Sequence, residues 1–328
     1  MTKSNHWAQI SDKKLFVQVQ DDVDRLFDQG KFVEALRVLE GAYPGLPTES
    51  LHSQMQDLLM TRVFLLSRLE RAAETLDVVQ AFHKTGYSCP LDWAIFDLVR
   101  ALPEYEDVEQ ENVRLIAAEK GNAELDLLIY LPKDYDSIKA YPLILLMHGD
   151  GQNNDVMQRM WPVEAMLERG FIVAFIQSSQ LVYTGHTLWL DDPATAWRDV
   201  RAYYESVCQQ HLIDTSSLIL GGFSGGAITA IDMVFGEALP AKGFVCLCPI
   251  RKPDHFTPAA IDKAVQRGIR GVFFEGATVW PINAEEEMVT AMRDAHMPFE
   301  LVLNEGIGHA SPPDFDAKLG QALDFVMS

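Results

Sequence analysis

Cysteine is scarce in this chain of 328 residues. It holds four, Cys89, Cys208, Cys246 and Cys248, and no two are spaced as C-x-x-C. A zinc ribbon or a thioredoxin-like redox pair is therefore excluded, and buried reduced thiols are expected. Positive charge is also in short supply. Twenty-seven Lys and Arg stand against 47 Asp and Glu, a net charge of −20. No run of Lys and Arg stands out, so neither nucleic acid nor an anionic membrane surface has an electrostatic footprint here. Long apolar runs are missing. Stretches such as Phe171–Ile176 fall far short of the roughly 20 residues that span a bilayer. The first residues carry no apolar signal region, so a cytoplasmic protein is expected. An H-E-x-x-H helix and a glycine-rich phosphate loop ending in Lys are absent too, and no metal site is expected.

What is present is ordinary globular material, 48% hydrophobic and 23% charged. The length suits about two domains, and the chain has two rhythms. Residues 12–102 read as helices: Asp22 to Leu39 broken at Gly30, Leu51 to Leu69, Ala72 to His83, and Leu91 to Leu102. The segment Gly30–Leu36 resembles the turn and second helix of a tetratricopeptide repeat. Glu34 and Leu36 recur as Glu74 and Leu76, forty residues on, against about 34 in such a repeat. Residues 1–103 are thus expected to form a helical, weakly repeat-like domain that offers an oligomer or partner surface. The acids Glu104, Glu106, Asp107, Glu109 and Glu111 read as a solvated linker over 104–111.

From residue 112 strand-like and helical runs alternate. Strands are expected at Val113–Ala118, Leu125–Leu131, Leu143–Met147, Ile172–Ile176, Leu218–Gly221, Phe244–Leu247, Gly271–Phe274 and Glu300–Leu303. Helices are expected near Val163–Arg169, Ala194–His211, Gly226–Phe235, Pro258–Arg267, Ala284–Ala295 and Asp314–Met327. The first strands come without an intervening helix. That order implies an α/β domain over 112–328, with a mostly parallel sheet that is antiparallel at its start.

The sharpest motif is Gly222-Phe223-Ser224-Gly225-Gly226, between the apolar run Leu218–Leu220 and a helical pattern. A serine on such a tight turn is lifted above the sheet, and only small neighbours fit around it. Serine needs a base. His309, in Gly306-Ile307-Gly308-His309 after the last strand, stands where one would be delivered. A tetrahedral intermediate needs backbone donors. Gly225 N–H is one; Asp150 or Gly151, in His148-Gly149-Asp150-Gly151, would supply the other. His148 reads as a structural residue that hydrogen-bonds this loop.

These three motifs, in this order, resemble the α/β-hydrolase superfamily over residues 112–328, and within it the small carboxylesterase, phospholipase and acyl-thioesterase-like esterases. The resemblance implies a serine hydrolase with an acyl-serine intermediate and no cofactor. It also marks a departure. The acid of the family's triad usually follows the penultimate strand as Gly-x-x-Asp, and here that position is Val279. Asp254 after the preceding strand, or Glu275 or Glu285, could take its place, or Ser224 and His309 work as a dyad. His186 and Trp189, in the loop Ser178–Pro193, and Trp280 would line a substrate pocket at the strand ends. The expected activity is cleavage of a small carboxylic ester or thioester. A peptidase of the same superfamily, or a decayed hydrolase serving as a binding protein, would share most of these features.

Overall fold

The computed structural model describes residues 19, 22–23, 25–27, 29–42, 51–120, 126–278 and 283–328. The chain divides into two compact units, Met1–Asn122 and Ala123–Ser328.

The first unit is helical. It contains α1 (Phe32–Ala42), α2 (Leu51–Arg68), α3 (Ala72–Lys84) and α4 (Tyr105–Lys120). Leu36, Leu39, Val63, Leu66, Val79 and Phe82 are buried among them. Leu91–Leu102, expected as a helix, is two short 3-10 turns, Ala94–Phe96 and Val99–Ala101. The larger correction is α4. It replaces both the expected linker over 104–111 and the strand Val113–Ala118, so the unit boundary moves to residues 122/123. The acids are helix material: Glu106 and Asp107 sit in the first turn, where the dipole favours negative charge, and Glu111 pairs with Arg114. Val108, Asn112 and Leu115 form the buried stripe, at helical spacing. Val113, read as a strand residue, is 61% exposed. Asn112 fixes the helix from inside. Its Oδ1 accepts from Cys89 N–H at 2.7 Å and its Nδ2 donates to Cys89 O at 2.8 Å.

The second unit is built on a sheet of seven strands. In chain order they are β1 (Leu127–Tyr130), β2 (Tyr141–Met147), β3 (Ile172–Ile176), β6 (Ile213–Phe223), β7 (Ala241–Leu247), β8 (Arg270–Gly276) and β9 (Phe299–Asn304). The spatial order is β1-β3-β2-β6-β7-β8-β9. β1 runs antiparallel to β3 and every other pair is parallel, as the order of elements implied. A separate hairpin pairs β4 (Gln180–Tyr183) with β5 (His186–Leu188); the sequence read this stretch as loop.

Both faces of the sheet are covered, which is why its strands are apolar throughout. In β2, Leu143, Leu145 and Met147 face one core layer while Ile144 and Leu146 face the other. After two short helices, α5 (Asn154–Met160) and α6 (Val163–Leu167), come α7 (Pro193–Gln210) and α8 (Gly225–Phe235), against which the first layer packs through Val200, Tyr203, Ala227 and Ile231. The second packs against the C-terminal helix (Phe315–Met327), through Leu319, Leu323 and Val326. All eleven residues of α8 are buried. The thiols behave as expected: Cys89, Cys246 and Cys248 are buried and free, Cys208 is half-buried, and burial raises the pKa of each.

Candidate active site

The sheet's register gathers the chemistry at one edge. Met147 pairs with Gly222, Phe223 with Leu247, Leu247 with Phe274, and Gly276 with Asn304. The loops after β2, β6, β7, β8 and β9 therefore leave the sheet side by side. The chain departs in opposite directions from β2 and β6, the switch point where open α/β sheets bind ligands.

Ser224 sits between β6 and α8 with φ +51° and ψ −116°. That is a strained conformation for a residue with a Cβ, and it is held on both sides. Ser224 N–H donates to Leu247 O at 2.9 Å, and Ser224 O accepts from Ile228 N–H at 3.0 Å. The flanking glycines have no alternative. A Cβ at Gly222 would meet the backbone of Gly226 and Met147 O, and one at Gly226 would overlap the carbonyls of Met147 and His148. The serine hydroxyl makes no capping bond to its own helix.

The loop after β2 is held by His148, which is fully buried. Its Nδ1–H donates to Gly149 O at 2.7 Å, which leaves Nε2 to accept from Ser178 N–H at 3.2 Å and from the Thr187 hydroxyl at 3.0 Å. Burial pushes its pKa down to about 4, so it is a neutral clamp, as expected. Gly151 is not the second donor. Its N–H is spent on Thr187 O at 2.9 Å, because β5 bridges to the loop through Gln152 and Thr187. The N–H groups of Asp150 and Gly225 donate to no protein acceptor among the described residues. The Asp150 carboxyl accepts from Trp189 N–H at 2.7 Å; burial raises its pKa, and the Trp189 bond and the nearby Arg251 charge oppose that.

His309 is brought beside Phe223 by β9 and the loop behind it. That loop is pressed onto the end of β8: a Cβ at Gly276 would overlap the carbonyls of Ile307 and Gly308. Thr278 ties it down, its N–H and hydroxyl donating to Ile307 O at 3.1 and 2.7 Å. The His309 ring packs on Phe223, the residue before Ser224, with centroids 4.8 Å apart. Desolvation lowers its pKa and no charged neighbour opposes it. No hydrogen bond joins His309 to Ser224 or to any carboxylate among the described residues.

The candidate acids lie elsewhere. Asp254 is exposed. Glu285, on the helix Asn283–Asp294, is buried against Glu275 at the end of β8. Burial, reinforced by Glu285, raises the pKa of Glu275 to about 10. Between this pair and the histidine loop stands Cys248, at φ +52° after β7, with its sulfur 3.9 Å from Ala310 O. Sequence reasoning missed the Glu275–Glu285 pairing. Its only signal was a glutamate inside an apolar strand.

Of the expected pocket residues, Trp189 is fully buried and lines a cavity open to solvent. His186 does not line it: its ring stacks on Tyr183 at 4.3 Å and bonds to Thr184 O at 2.9 Å, within the β4–β5 hairpin. Val279 and Trp280 lie outside the described residues. Among the described residues no cluster of side chains is fit to hold a metal ion, and no helix is long and apolar enough to cross a membrane.

No family model matches the chain, and no curated protein matches it by sequence. Solved structures do match. A 2.75 Å crystal structure of an uncharacterized protein from Bacillus cereus ATCC 10987 is 19% identical, with a TM-score of 0.52, over 94% of this chain and 98% of that one. A ferulic acid esterase is 18% identical, with a TM-score of 0.50, over 62% of this chain and 93% of that one. The sheet order, the helices on both faces and these neighbours together are those of the α/β-hydrolase fold.

Proposed function

We propose that this α/β-hydrolase fold carries a serine hydrolase, cleaving a carboxylic ester or thioester through an acyl-serine. One observation carries the reading. Ser224 is held in a strained turn beside two uncommitted backbone donors, Gly225 N–H and Asp150 N–H, with His309 packed on its neighbour Phe223.

In this reading His309 takes the hydroxyl proton as Ser224 Oγ attacks the acyl carbonyl carbon. Gly225 and Asp150 N–H groups hold the resulting oxyanion. The carbon–oxygen or carbon–sulfur bond then breaks, and His309 returns the proton to the leaving group. Water, deprotonated by the same imidazole, attacks the acyl-serine and frees the acid. A lowered imidazole pKa suits the first step, since the neutral base predominates at neutral pH. Hydrogen bonds between nucleophile and base are commonly long before substrate binds, which accommodates the missing Ser224–His309 bond. With no carboxylate on His309 among the described residues, the pair works as a dyad. The loop's own fastening to β8 replaces the acid's orienting role, while its charge is not replaced.

Labelling by a fluorophosphonate probe tests the reading, with Ser224→Ala as control. Labelling that disappears in the variant supports it. A folded protein that takes no label favours the second reading, a decayed hydrolase that binds without turnover; that His309 has no hydrogen-bond partner among the described residues is the observation behind that alternative.

A further inference from the structure

A cavity open to solvent, lined by Trp189, Trp197 and Ile228, lies one helical turn beyond Ser224. Its floor includes Ile228, whose N–H is bonded to Ser224 O. Its wall includes Trp189, whose N–H is bonded to the Asp150 carboxyl beside Gly225. Trp197 from α7 and Pro253 complete an apolar, aromatic body.

Four charged side chains reach this cavity: Arg251, Lys252, Asp232 and Asp254. Two are committed. Asp232 accepts from the Trp197 indole at 2.9 Å and from the backbone N–H and ring Nδ1 of His255 at 2.9 and 3.0 Å. Lys252 pairs with Glu287 at 3.3 Å. Asp254 is exposed, and so is Arg251, so water screens both. Arg251 makes no hydrogen bond or ion pair among the described residues, although its charge is felt at Asp150. Within the wall, the Trp189 indole N–H is fully buried and meets no acceptor among the described residues. An uncommitted guanidinium above an aromatic cavity, in a chain of net charge −20, is an unusual local arrangement. A guanidinium presents a fork of donors that matches a carboxylate.

We infer that this cavity is a specificity subsite for a substrate that carries a carboxylate on an apolar or aromatic body, with Arg251 binding the carboxylate. The inference rests on the serine-hydrolase reading for turnover, but not for binding. The rival account is that Arg251 only offsets the buried Asp150 carboxyl and touches no ligand.

The binding arm uses Ser224→Ala protein and two unreactive amides, succinanilic acid and butyranilide, which differ by one carboxylate. Tryptophan fluorescence or calorimetry reads their affinities. Succinanilic acid is expected to bind tenfold or more tighter, and Arg251→Gln is expected to remove that ratio while Arg251→Lys restores part of it. Equal affinities overturn the inference, whatever the enzyme's activity. The turnover arms place the anion on either side of the scissile bond. Monophenyl succinate is compared with phenyl butyrate, and 4-acetoxybenzoate with phenyl acetate. A ratio of kcat/KM favouring the anion in either comparison, falling about tenfold in Arg251→Gln, supports the inference and shows which side enters the cavity. An equal fall for charged and neutral esters supports the rival account and overturns it. Anion-selective binding without turnover of any ester would leave the subsite standing and sink the hydrolase reading.

Discussion

The carboxyl of Asp150 occupies the space that any side chain at Gly225 would need. The same carboxyl is fixed from behind by Trp189 N–H, so it has little freedom to retreat. The two candidate oxyanion donors are thereby locked to each other, and the lock extends to the cavity wall.

Gly225→Ala should therefore do more than add a methyl group. It should push Asp150 off Trp189 and move both donors. A rate loss of about 10²–10³-fold is expected, the scale of losing an oxyanion-hole donor. A stability loss of about 1–3 kcal/mol should accompany it, as for overpacking. Steady-state kinetics and denaturant unfolding measure the two. Unchanged rates in a folded variant would remove Gly225 from the site.

The pH profile follows from His309. Its pKa lies below the usual 6.5 because of desolvation, and the neutral ring is the competent form. kcat/KM for a neutral ester should fall as pH drops through that lowered pKa, and should be level by pH 7. A profile with its midpoint above 7 would show that a carboxylate does stabilise the imidazolium, contrary to this structure.

Substitution of the candidate acids separates a dyad from a hidden triad. A working triad acid contributes about 10⁴-fold. Asp254→Asn and Glu285→Gln should each change kcat by less than about tenfold, since neither side chain touches His309. A loss near the triad figure in either variant would identify the acid and require the loop to move.

The Glu275–Glu285 pair makes a separate prediction about stability. Burial and its neighbour raise Glu275 to about 10 from 4.5. The unfolded chain gives up this proton above pH 4.5, while the folded protein keeps it. Stability should thus be full in acid and decline as pH rises from about 5 towards 10. The slope has a ceiling of about 1.4 kcal/mol per pH unit for one proton. Glu285→Gln, which removes the like charge, should flatten the decline in melting temperature between pH 6 and 9.

Much of this was legible in the sequence because it is local. Glycines around Ser224 and the apolar strands announce themselves within a few residues, and their order implied the sheet. Where the reading failed, distant partners decide. Five acids look like a solvated linker until Val108, Asn112 and Leu115 are seen to share one buried stripe. Gly151 looks like a donor until Thr187, thirty-six residues on, takes its N–H. Asp150 N–H survives as a candidate only because β5 bridges one position further along. The carboxyl pair needs two segments to meet in the core, and no local pattern records that.

Nucleophile and base sit on parts of the sheet with very different local stability. Ser224 begins a helix with every residue buried, in the middle of the sheet. His309 hangs from β9, the terminal strand, where only Asn304 is buried. That strand's outer edge has no neighbouring strand among the described residues, so the base is fastened chiefly by Thr278, by Asn304 donating to Glu275 O, and by Lys318 reaching Asn304. Local opening at this edge would withdraw the base long before the core melts. On warming, turnover should vanish ahead of the cooperative transition, with amide exchange at Glu300 and Val302, whose N–H groups face β8, rising first and exchange at Ile231 rising last.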